Sequence, residues 1–147
     1  MSRRGASIVR AIMCFMSRMP DASQVPSSGW LAVTDEGNRR VQVVTLTGQV
    51  IRVLAGNAAN GLGQLSLFNG ITVCVDADGQ PELLVSDSWN HRVVAFRLDG
   101  SAARVLCGTA RRGSGAGELI HPAGLAVTAT GDLWVVEQGN HRMSLFR

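Results

Sequence analysis

PELLVSDSWNHRVVAFRLDGSAARVLCG, residues 81–108, is the stretch that decides the fold. Apolar and β-branched residues fill three short runs, and Asp, Ser, Asn and Gly fill the gaps between them. That alternation of strand formers and turn formers predicts strands over about 82–86, 91–98 and 102–107. Asp99-Gly100 marks a tight hairpin. Just upstream, NGITVCVDADG (69–79) adds a strand over about 70–75 that ends in a Gly turn. The unit is thus four strands, a to d, joined by short turns.

The same unit recurs on either side. GWLAVTDEGNRRVQVVTLTGQVIRVLAG (29–56) precedes it and GDLWVVEQGNHRMSLFR (131–147) follows it. Asn38, Asn90 and Asn140 align at spacings of 52 and 50 residues. Each follows an acid, Asp35, Asp87 or Glu137, and precedes a basic pair, Arg39-Arg40, His91-Arg92 or His141-Arg142. AGLAVTATGD (123–132) repeats the a strand, and GLGQL (61–65) and GAGEL (115–119) are matching glycine-spaced crossovers. A period near fifty residues with four strands per unit predicts blades of a β-propeller rather than a helical solenoid.

DSWNHRVVAF, with its echoes EGNRRVQVV and QGNHRMSLF, resembles the NHL repeat family over most of the chain. The resemblance implies an all-β, incomplete β-propeller of four-stranded antiparallel blades, of a family that typically closes with six. It also implies a recognition module, since most members bind proteins, some as substrate-binding parts of ubiquitin ligases, and some bind RNA. A minority are enzymes, such as the amidating lyase. The expected division is a leader and linker (1–28), disordered or a transit peptide, then a partial blade (29–56), a full blade (69–108) and a partial blade (123–147). Blade one is expected to lack strand a and blade three strand d, giving about ten strands against the roughly twenty-four of six full blades. A fragment, an open partial propeller and self-association that completes the ring are the three explanations.

All 14 basic side chains are Arg, so no lysine is present for Schiff-base chemistry. The net charge of +3 lies in the leader, where Arg3, Arg4, Arg10 and Arg18 face Asp21 alone. Residues 29–147 balance ten arginines against ten acids, which weakens a nucleic-acid reading. In MSRRGASIVRAIMCFMSRMP (1–20), Ile8, Ile12, Phe15 and Met19 share one helical face, the pattern of an organelle transit peptide. No apolar run approaches the roughly 18 residues of a membrane span. Cys14, Cys74 and Cys107 are odd in number and form no CxxC pair, which points to a reduced, cytoplasmic setting with Cys74 and Cys107 as small strand hydrophobes. The leader leaves a mitochondrial or other organelle location open.

Alternating strand directions place the b–c turns and d–a crossovers on one face. That face collects Arg39, Arg111, Arg112, His91, His121 and His141, and the other collects Asp76, Asp78, Asp99 and Asp132 with no Arg in its turns. The trios Asp35/Asn38/Arg40, Asp87/Asn90/Arg92 and Glu137/Asn140/Arg142 are expected to be structural. Each Asn takes the positive φ of its turn, and each acid forms an exposed ion pair with the Arg five residues on. The partner-binding candidates are Trp89, Arg39, Arg111, Arg112, His91 and His141. Trp89 stands where the other blades have Gly37 and Gly139, so it either covers its blade or anchors a partner.

GSGAG (113–117) lacks the Lys-Ser/Thr and the helix of a phosphate loop. DADG (76–79) reads as a turn rather than a calcium loop. His91 and His141 fall on separate blades, so neither a metal site nor a cofactor is expected. The leading expectation is a non-catalytic scaffold that binds a protein partner on the loop face. Single-stranded RNA binding by that face, or a fragment of a metal-dependent lyase or lactone hydrolase, are the alternatives.

Overall fold

The computed structural model describes residues 13–16, 29–55, 62, 65–66 and 68–147. Eleven strands lie among them, in three antiparallel sheets. Blade one runs β1 (Met13–Met16), β2 (Trp30–Asp35), β3 (Arg40–Thr45) and β4 (Val50–Ala55), hydrogen-bonded in that order. Blade two runs β5 (Phe68–Val75), β6 (Pro81–Asp87), β7 (Arg92–Arg97) and β8 (Ala103–Cys107). Blade three holds β9 (Pro122–Val127), β10 (Leu133–Glu137) and β11 (Arg142–Phe146).

The sequence reading left blade one without an inner strand. The structure supplies it from the leader: Met13 pairs with Val33 and Met16 with Trp30, the register in which Ile71 pairs with Val85 and Cys74 with Glu82 in blade two. The count of ten strands is corrected accordingly. The helical face expected at Phe15 gives way to a strand there, because pairing along the edge of β2 satisfies backbone groups that an isolated short helix leaves to water. The transit-peptide and linker readings otherwise lie outside the described residues.

Burial alternation shows how the blades stack. Along β3 exposure alternates strictly, and along β10 it alternates again, the pattern of a sheet covered on one face. Along β6 and β7 nearly every residue is buried, so blade two is covered on both faces. Its front face joins blade one through Leu83, Val85, Val94 and Phe96 against Trp30, Ala32, Val41 and Val43. Its back face joins blade three through Leu84, Val93 and Ala95 against Leu133 and Val135. Each large apolar side chain so enclosed stabilises the stack by about 1.5–3 kcal/mol.

The inner strands converge. A Cβ on Gly70 of β5 would lie 2.1 Å from the carbonyl oxygen of Ala123 in β9, so glycine is what lets these two backbones meet. Ser86 Oγ donates to the Gly70 carbonyl in the same buried spot. The outermost strand β8 is mostly exposed. The sheets are thus a β-propeller-like stack of blades, with a strands inside and d strands outside, and among the described residues they do not close into a ring.

Candidate functional site

The loop face is built on the three b–c turns. After Asp35 and Asp87 the chain makes one 3₁₀ turn, Glu36–Asn38 or Ser88–Asn90. It then passes through the left-handed region at Arg39, His91 and His141, with φ of 53, 50 and 51°. The expectation that Asn takes the positive φ is therefore corrected by one position. The Asn side chain is needed elsewhere: Asn38 Nδ2 donates to both Asp35 oxygens at 2.9 Å, and Asn90 Nδ2 to those of Asp87 at 3.0 and 2.9 Å.

The ion pairs form as expected, but each rests on a buried carboxylate, and in blade two the arginine is buried as well. Arg40 Nε, Arg92 Nε and Arg142 Nε lie 2.8, 2.8 and 2.7 Å from Asp35, Asp87 and Glu137. The Asp87 side chain is 0% exposed and Arg92 only 9%, whereas Arg40 is 37% exposed. Burial on its own would raise the Glu137 carboxyl, but hydrogen bonds from Ser144, Arg142, Asn140 and the Ile120 N–H hold it below the usual range. At Asp35 burial is likewise outweighed, by donors on Asn38 and Arg40.

In blades two and three the trio also fastens the crossover that enters the blade. The Ser66 N–H donates to Asp87 at 2.8 Å, and Arg92 Nη2 donates to the Leu62 carbonyl at 2.7 Å. In blade three the Ile120 N–H donates to Glu137, while Arg142 donates to the Ser114 and Glu118 carbonyls and Asn140 to that of Gly113. The GSGAG stretch is thereby a strapped-down connector, with the Gly115 N–H also donating to Glu118. The acids, amides and guanidinium groups that looked like turn chemistry in fact weld two loops together.

On this rigid base stand the exposed groups. Trp89 is 64% exposed at the turn tip and so projects into solvent. Arg39, Arg111, Arg112 and His141 are exposed as well. His91 is not: it is buried, its Nδ1 accepts the His121 N–H at 3.2 Å, and its ring meets that of His121 edge-on with centroids 4.7 Å apart. It leaves the partner-binding group for a joint between the blade-two turn and the next crossover. Burial first, then the neighbouring His121 and Arg112, push its pKa below the ordinary histidine value, against a smaller opposing pull from Asp87. His121 was missed as a structural group because the matching crossover position is Leu67, so the repeat carries no signal for it.

The opposite face is less one-sided than the sequence suggested. Asp76 caps its own turn, accepting the Asp78 and Gln80 N–H groups, and pairs with Arg97 at 2.8 Å. Arg97 lies at a strand end rather than in a turn, which is why counting turn residues overlooked it. Glu82 is buried and paired with Arg104 at 2.6 Å. Cys74 and Cys107 are free thiols packed with the blade-two/blade-three core, and burial pushes Cys107 up to about 12. Among the described residues no three His, Cys, Asp or Glu side chains gather as metal ligands, and no helix is long and apolar enough to cross a membrane.

With this geometry in place, comparison with known proteins gives three findings. Residues 119–146 match the NHL repeat family, so the chain carries an NHL repeat there. No curated protein matches. Among solved structures, an auxiliary nutrient binding protein from Bacteroides ovatus is similar with a TM-score of 0.61 at 15% identity, over 80% of this chain. That likeness concerns the fold alone, and the chain spans 35% of that protein's length.

Proposed function

We propose that this chain, bearing an NHL repeat on a β-propeller-like stack, is a non-catalytic interaction module that holds a protein partner on its loop face. The observation that carries the reading is Trp89, a large apolar side chain exposed on a turn whose backbone is locked by buried Asp87 and Arg92. Trp is among the residues enriched at interface hot spots, and a turn already fixed in place adds little ordering cost on binding. Arg111 and Arg112 on the adjacent crossover, with Arg39 and His141 on the neighbouring turns, select a partner segment rich in carboxylates, since guanidinium forks match that group. The module would serve as the substrate-recognition or scaffolding part of a larger ubiquitin-ligase-like or signalling protein. The buried acids support a non-catalytic role, because Asp35, Asp87 and Glu137 are occupied by Asn, Arg and backbone partners. The free thiols of Cys74 and Cys107 favour a reducing, cytoplasmic setting.

The test is peptide selection from a displayed library against the full chain. Acidic peptides with a flanking apolar residue are expected. Their affinity should fall about tenfold or more in Trp89→Gly, the scale of a hot-spot aromatic, with the far-UV spectrum unchanged. Peptides that bind Trp89→Gly as well as the parent would refute the assignment. A uridine oligomer bound with a steep salt dependence would favour RNA as the ligand instead.

A further inference from the structure

His121 ties two blades together through its backbone. Its N–H donates to His91 Nδ1 on the blade-two turn at 3.2 Å, and its carbonyl accepts the Gln138 N–H of the blade-three turn at 3.1 Å. The crossover between these blades therefore ends on a histidine ring at one side and on backbone at the other. Its beginning meets the same histidine: a Cβ on Gly108 would lie 2.3 Å from the His91 carbonyl oxygen. Both ends of the segment that carries Arg111 and Arg112 thus converge on His91, in the turn that carries Trp89.

The two attachments differ in kind. Toward blade three the crossover is held by groups that keep their charge in mild acid: Glu137, whose carboxyl stays below the usual range, accepts the Ile120 N–H, and Arg142 and Asn140 donate to crossover carbonyls. Toward blade two the acceptor is an imidazole nitrogen, which accepts only while it carries no proton. Once protonated, Nδ1 meets the His121 N–H donor to donor. The charged groups facing the ring do not offset that clash. On the crossover, His121 stands edge-on with centroids 4.7 Å apart and Arg112 adds a positive charge. At the end of β6, Asp87 is the facing carboxylate, and it is occupied by Asn90 and by Arg92 of β7.

We propose that His91 is a proton-operated latch on the loop face. Neutral, its ring fastens the crossover of Arg111 and Arg112 to the turn of Trp89; protonated, it lets turn and crossover part while blade three keeps its hold. The latch thereby sets the spacing of Trp89 from the two arginines, and its effect on a partner rests on the reading of this face given above. Closing the joint disfavours the charged ring, so by reciprocity protonation favours opening, about tenfold for each pKa unit that the joint removes. The latch is shut above the ordinary value of 6.5 and opens as pH falls through the lower native value.

Amide hydrogen exchange of the full chain, read by NMR and corrected for the intrinsic pH dependence of exchange, tests this. It uses no partner, so its failure is separate from a failure of the binding reading. As the His91 ring titrates, protection of the His121 N–H should fall about tenfold or more. The Ile120 N–H, bound to Glu137, should keep its protection. His91→Asn has no ring to titrate, and Asn is at home in the left-handed backbone found there. In that variant His121 should be less protected at neutral pH and show no step. Unchanged His121 protection across the His91 titration, an equal loss at Ile120, or the same step in His91→Asn would each overturn the proposal.

Discussion

Removing the Asp87 carboxylate by Asp87→Ala separates a buried clamp from the exposed ion pair read from the turn sequence. Asp87 accepts from Arg92 Nε at 2.8 Å, from Asn90 Nδ2 at 3.0 Å and from the Ser66 N–H at 2.8 Å, with no solvent access. Its loss leaves the Arg92 guanidinium, 9% exposed, without its counter-ion. Breaking a buried pair from one side costs about 3–5 kcal/mol. Asp35→Ala removes the same trio member in blade one, but Arg40 is 37% exposed and turns to water, so that change should cost about 1 kcal/mol. At roughly 2–4 °C per kcal/mol for a chain of this size, the melting temperatures should drop by about 10 °C and about 3 °C. Thermal unfolding followed by circular dichroism on both variants reads the difference. Equal losses would show that the blade-two clamp is no more sequestered than an ordinary hairpin pair, and the account of the crossovers being welded to the turns would fail.

Three further outcomes follow from the titrating groups. His91 has its pKa lowered in the fold, so the native state binds fewer protons than the unfolded chain. The stability it contributes is full above the unfolded value of 6.5 and is lost as pH falls through the lower native value. An NMR titration should find His91 protonating below the ordinary histidine value, and an ordinary or raised value would remove His91 from the joint. Glu137 and Asp35, also lowered, should add a second loss at more acidic pH, below the usual carboxylate range, visible as a further fall in melting temperature. Cys107, buried and pushed up to about 12, should resist iodoacetamide at pH 8 until denaturant is added, and rapid labelling of the native chain would contradict its place in the core.

Much of the fold was legible because strands and turns here are written locally. The run from Pro81 to Cys107 alternates strand formers with turn formers, and the structure places β6, β7 and β8 within a residue or two of the expected bounds. The trios were legible as hairpin ion pairs because acid, Asn and Arg recur at fixed offsets. Their burial was not, since it comes from crossovers that reach them across 21 to 30 residues of sequence. The inner strand of blade one escaped for a related reason. MCFM is short, carries none of the Gly turn that marks β5 and β9, and acquires strand geometry by pairing with β2. His91 was misread because its exposure depends on His121, a contact that repeat position alone does not encode. At Trp89 the contrast with Gly37 and Gly139 was visible in the sequence, while its projection into solvent needed the turn geometry.

The claim under all of this is that consecutive four-stranded sheets stack face to face with their first strands converging. An NMR measurement of contacts between the α protons of Gly70 and the backbone of Ala123 reaches it most directly. Strong cross-peaks there, alongside a Met13–Val33 cross-strand pair, are the expected result. Their absence, with β5 and β9 each packed elsewhere, would contradict the stack itself.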